Sequence, residues 1–129
     1  TDLHVLVAED NLVNQLLVKG QLDSLGVSYE IVSDGAEAVK LICDDNKKFD
    51  LILMDCEMPR MDGYEATDLI RCWEKDNNKN PLPIFALTAH VLLENTLRCE
   101  QVGMSGKLTK PIKLNDYKKA FSFVNASLT

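Results

Sequence analysis

The sequence predicts an α/β fold, a three-layer, doubly wound (βα)5 sandwich with a parallel five-stranded sheet at its centre. Two observations carry this expectation. Short apolar runs alternate with stretches of helical period along the whole chain, and three of the runs are almost continuously apolar, as strands buried on both faces must be. A length of 129 residues with 46% hydrophobic residues fits one domain with a real core, residues 1–129, the core covering about 3–125.

The first strand is expected from Leu3 to Ala8, and Asn11 supplies an N-cap for the helix that follows. Gly26 is placed to stop that helix. Its core stripe should hold Asn14, Leu17, Val18, Gln21, Leu22 and Leu25, at helical spacing. The second strand, Val27 to Ser33, alternates polar and apolar residues around Tyr29 and Glu30, which suits an edge with one wetter face. Asp50 to Met54 reads as the third strand, followed by a helix with Ala66, Leu69, Ile70 and Trp73 on its inner face. Pro83 to Thr88 is the fourth strand, and Gly103 ends the helix after it. A weak fifth strand, Lys107 to Thr109, leads to a helix with Tyr117, Ala120, Phe121 and Val124 facing inward.

Composition excludes several classes of function. A net charge of -6 argues against nucleic-acid binding, which rests on clustered Lys and Arg. No apolar run is long enough for a membrane span and no secretory leader is visible, so a cytoplasmic location without membrane contact is expected for this segment. The longer protein could still be membrane-anchored. Cys43, Cys56, Cys72 and Cys99 form no C-x-x-C pair and read as reduced thiols.

Five polar positions fall at the C-terminal ends of the expected strands: Glu9 and Asp10 after the first, Asp55 after the third, Thr88 ending the fourth and Lys110 after the fifth. In a parallel sheet these ends share one rim, where open α/β sheets bind ligands. Three converging carboxylates repel one another unless a cation intervenes, and a hard, oxygen-liganded ion such as Mg2+ suits them. Lys110 adds a fixed positive charge and Thr88 a hydroxyl donor. Together they describe a site for a tetrahedral oxyanion on or beside Asp55, and aspartate is a nucleophile in phosphoryl transfer. In isolation Asp55 would read as a turn residue, and Glu9-Asp10 as charges favouring a helix N-terminus.

Glu9-Asp10-Asn11, Met54-Asp55 with Met58-Pro59 and Met61-Asp62-Gly63, Ala86-Leu87-Thr88-Ala89 and Lys110-Pro111, in this order, resemble the receiver domains of two-component response regulators. The resemblance implies a flavodoxin-like strand order 2-1-3-4-5. It implies that Asp55 accepts a phosphoryl group from a histidine of a kinase or phosphotransfer protein, with later autodephosphorylation. It also implies Mg2+ bound by Asp10 and Asp55, by Glu9 largely through water and by the backbone carbonyl of Glu57. Thr88 and the backbone N–H groups of Cys56 and Ala89 would meet the phosphoryl oxygens, Lys110 would pair with the phosphate, and the Lys110–Pro111 bond would be cis. Glu57 and His90 would tune rates. Lys107 departs from the pattern, standing where many receivers carry Tyr or Phe.

Leu12, Val13 and Leu16 lie off the core stripe of the first helix, beside the rim, and point to a docking patch for a partner helix; packing under neighbouring loops is the alternative. The Glu9-Asp10-Asn11-x-x-Asn14-Gln15 opening and the stretch from Ala86 to Ile112 look most like receivers of hybrid sensor histidine kinases, and Thr1 at the start fits a segment of a longer chain. A stand-alone response regulator and a receiver-like protein-binding module without phosphotransfer remain as other readings. A flavodoxin-type carrier lacks its phosphate loop here, and a haloacid-dehalogenase-type phosphatase would need Asp where Glu57 stands.

Overall fold

The computed structural model describes residues 3–89 and 93–128; His90 lies outside them. Strands β1 (His4–Ala8), β2 (Ser28–Val32), β3 (Leu51–Asp55), β4 (Ile84–Thr88) and β5 (Gly106–Thr109) form one parallel sheet in the order β2-β1-β3-β4-β5. The alternating strand, β2, is an edge as expected, and the apolar β1, β3 and β4 are central. Helices α1 (Leu12–Leu25), α2 (Gly35–Val39), α3 (Gly63–Asp76), α4 (Leu93–Val102) and α5 (Leu114–Leu128) cover both faces; α2 continues into a π-helical turn, Lys40–Asp44.

The strand pleat divides the core in two. Val5, Val7, Leu51 and Leu53 turn to the face covered by α1 and α5, where they meet Leu22, Tyr117 and Phe121. Leu6, Ala8, Ile52 and Met54 turn to the other face and pack on Ala38, Ile70 and Cys99. This period of two lets each strand serve both layers.

Asn11 caps α1, its side chain accepting the Asn14 N–H at 3.0 Å, and Gly26 ends it with a left-handed φ of 72°. Gly103, at φ 90°, closes α4. Two apolar residues expected in the core are instead open to solvent. Leu17 is 50% exposed and Leu69 41% exposed. In α1 only Val18 and Leu22 are fully buried, and half-buried Gln21 lies beside them, donating its amide to the Ile112 carbonyl at 2.7 Å and accepting from the Tyr117 hydroxyl. The buried line of α3 runs through Ala66, Thr67, Ile70 and Glu74, a step that leaves Leu69 outside. Glu74 is held there by Arg71 at 2.7 Å and by the Leu82 N–H at 2.7 Å, so a buried charge is doubly satisfied.

Gly63 fixes how closely α3 approaches the sheet. A Cβ there would lie 2.2 Å from the Asp55 carbonyl oxygen and 2.9 Å from Met54 Cγ. The carbonyl belongs to a central strand and cannot yield. Gly63→Ala should therefore destabilise the fold by about 2–3 kcal/mol through overpacking, read as a lower urea midpoint; an unchanged midpoint would show that α3 can slide.

Candidate functional site

The third strand runs one residue further than the sequence indicated. Asp55 is its last member and pairs in register with Leu87, while Ala8 pairs with Met54. Glu9, one residue beyond β1, thus comes level with Asp55. On the other side Thr88 pairs with Thr109, and the Lys110 N–H donates to the Thr88 carbonyl at 2.8 Å. Sheet register alone brings the five positions to one rim, and the Lys110–Pro111 bond is cis.

Lys110 links the two buried carboxylates. Its ammonium lies 3.0 Å from Glu9 Oε1 and 3.1 Å from Asp55 Oδ2. Glu9 also accepts the Asn11 N–H through Oε2 at 3.1 Å, and Asp55 Oδ1 accepts the Glu57 N–H at 3.2 Å. Asp10 stands exposed, yet one carboxylate oxygen from each of Glu9, Asp10 and Asp55 lies within 4.8 Å of the others. Thr88 is buried, and Ala89, Cys56 and Glu57 complete the walls of a cleft of about 230 Å³.

Glu9, Asp55 and Lys110 shift one another's titration. Burial lifts the Asp55 carboxyl to about 7, with Glu9 adding to the rise and Lys110 opposing it. Burial also works to raise Glu9, but the Asn11 N–H, Asp55 and Lys110 outweigh it and hold that carboxyl below its ordinary value. Burial would lower the Lys110 ammonium, yet its two carboxylate partners keep it above the usual lysine value. The two carboxyls are thus pushed in opposite directions, Glu9 toward the charged form and Asp55 toward the protonated one.

Three carboxylates against one ammonium leave two negative charges on the rim when all are ionised. Unit charges about 4 Å apart interact by about 4 kcal/mol at an effective dielectric of 20, so the imbalance is not small. An all-oxygen donor set with that excess charge fits a hard divalent cation.

Some expected roles move. The Cys56 N–H donates to the Leu87 carbonyl at 3.1 Å, extending the β3–β4 ladder by one bond. The amide directed at Asp55 is that of Glu57. The Cys56 thiol is buried and pushed up to about 12, chiefly by burial, so it is an inert core group. Asn14, expected on the core stripe of α1, lines the cleft, and the Gln15 side-chain amide donates to the Glu9 carbonyl. Lys107, in the place of an aromatic ring, donates from Nζ to Thr96 Oγ1 on α4.

Comparison with known proteins follows the same line. A family model described as the response regulator receiver domain matches residues 5–122. The sensor protein GacS of Pseudomonas syringae pv. syringae is 44% identical over 108 residues, covering 84% of this chain, which spans 12% of that protein's length. The receiver domain of a sensor histidine kinase from Pseudomonas aeruginosa, crystallised with a magnesium ion in its active-site cleft, superposes with a TM-score of 0.83 at 36% identity, covering 97% of this chain and 99% of that one. A chain from the co-crystal structure of a Saccharomyces cerevisiae histidine phosphotransfer signaling protein with the receiver domain of its downstream response regulator gives 0.84 at 32% identity, covering 92% and 85%.

The raised Asp55 carboxyl makes stability depend on pH. Unfolded, this group releases its proton near the ordinary value of about 3.9; folded and metal-free, it keeps the proton to about 7. The folded state binds more protons in between, so this contribution is lost as pH rises from about 4 to about 7. Urea unfolding in chelator should show Asp55→Asn gaining on the wild type by about 2–4 kcal/mol between pH 4 and pH 8. A gap that does not change with pH would reject the shifted carboxyl.

Proposed function

The chain belongs to the response regulator receiver domain family, and we propose that it works as a Mg2+-dependent phosphoacceptor whose Asp55 takes a phosphoryl group from a phosphohistidine. The observation that carries this reading is the Lys110 ammonium, set between Glu9 and Asp55 at the end of a central strand. An Asp55 carboxylate oxygen attacks phosphorus; the phosphorus–nitrogen bond of the donor breaks, and its electron pair leaves with the imidazole. Asp55 must be ionised to attack, and Lys110 favours that form. Lys110 then pairs with the phosphoryl oxygens, joined by the Thr88 hydroxyl and the N–H groups of Glu57 and Ala89. Glu9, Asp10 and Asp55, with the Glu57 carbonyl, would hold Mg2+, which supplies charge neutralisation for the acceptor and the transferring group. Water attack on the acyl phosphate reverses the modification.

The partner is a histidine kinase or a histidine-phosphotransfer domain, and the parent a hybrid sensor histidine kinase in which residues 1–129 form a single receiver domain on the cytoplasmic side. The kinship with GacS and the magnesium-bound receiver supports this, as does the yeast complex. No helix among the described residues is long and apolar enough to cross a membrane. The docking surface is α1, where Leu12, Val13 and Leu16 are 73%, 73% and 68% exposed beside the rim, and Leu17 widens the patch. Among the described residues no loop covers them.

Intact mass after treatment with acetyl phosphate and Mg2+ should rise by about one phosphoryl group in the wild type and not in Asp55→Asn; equal labelling of both would overturn the assignment. Leu16→Glu should block transfer from a phosphotransfer partner but leave acetyl phosphate labelling intact. Loss of both reactions, or of neither, would count against docking on α1.

A further inference from the structure

The loop between β3 and α3 carries the Glu57 amide and carbonyl to the rim, and its own hydrogen bonds, Met61 N–H to the Pro59 carbonyl at 2.7 Å and Gly63 N–H to the Cys56 carbonyl at 3.1 Å, leave Arg60 at its outer tip to be fixed from outside. Its outer half leans on the turn after β2. The Gly35 N–H donates to the Met61 carbonyl at 3.1 Å, and a Cβ on Gly35 would come 2.6 Å from that oxygen. Asp34, only 1% exposed, uses Oδ1 to cap α2 through the Glu37 N–H at 2.9 Å. Among the described residues its Oδ2 is buried without a hydrogen bond of ordinary geometry and lies in close ion-pair contact with the Arg60 guanidinium. Arg60 reaches it from a side chain otherwise 72% exposed, on a backbone at φ 65°. A non-glycine residue in that region persists only where tertiary contacts over-determine it.

We propose that the Arg60–Asp34 pair is a latch that positions the Glu57 loop for metal and phosphoryl binding. The inference rests on the reading of the rim given above. A buried carboxylate oxygen facing a guanidinium makes this contact more demanding than a surface ion pair, and it joins Asp34, in the turn after β2, to Arg60 in the loop that supplies the Glu57 ligand. Arg60 and Asp34 touch neither metal nor phosphoryl group, so both are positioning residues.

Arg60→Asn is the informative variant, because asparagine tolerates the positive φ without the added backbone freedom of glycine while the charge facing Asp34 is lost. Asp34→Asn keeps an oxygen for the α2 cap while removing the charge. For either variant, Mg2+ titration by calorimetry should give a Kd raised about tenfold, the low end for outer-shell partners of a metal site. The Glu57 and Met61 amides should exchange hydrogen several-fold faster, the double variant should show little more than either single one, and Arg60→Lys should recover part of the affinity. Unchanged exchange overturns the latch. Faster exchange or a lower melting temperature with an unchanged Kd also overturns it, since the pair would then be merely structural. If the wild type bound no Mg2+, the reading of the rim would fall, and the exchange rates alone would decide whether the pair holds the loop.

Discussion

The arrangement at the rim depends on one ammonium group held between two buried carboxylates. Without Lys110, Glu9 and Asp55 would face each other at the end of a sheet with no compensating side-chain ammonium between them, at a cost of about 3–5 kcal/mol. With it, one of the three carboxylates is offset and the site is still short of positive charge. The remaining architecture serves to bring these three residues together from chain positions far apart. A parallel sheet does so cheaply, since its C-terminal ends already share a level.

The helices then set how rigid that level is. Gly63 lets α3 press against the Asp55 carbonyl, and Asn11 starts α1 directly behind Glu9, offering it a backbone N–H. Gln15 reaches back to the Glu9 carbonyl from the next turn. The rim is supported on the β1 side by a capped helix and on the β3 side by a tightly packed one. Between them Asp10 stays exposed, the one carboxylate of the cluster that keeps its contact with water.

Much of this was legible in the sequence, because strand ends and cap residues leave local marks. The burial of the strands, the edge position of β2, the cap at Asn11 and the stop at Gly26 all follow from patterns a few residues long. The convergence of Glu9, Asp10, Asp55, Thr88 and Lys110 followed once those ends were placed. What was not legible turns on single steps of phase or on contacts between distant segments. One extra ladder bond decides that the Glu57 amide, not that of Cys56, faces Asp55. A small rotation of each helix leaves Leu17 and Leu69 outside the core. The pairing of Arg60 with Asp34 joins residues in separate turns, and no periodicity signals it.

The place of Asp55 within β3 has a mechanical consequence. Its backbone is clamped in a ladder, with β4 on one side and the Gly63 turn pressed against its carbonyl, so the residue has almost no freedom to recoil. Any bulk joined to its side chain must be accommodated by the surrounding loops. Asp55 is thus the fixed anvil of the rim, and the room for anything placed against it is set by how far those loops give.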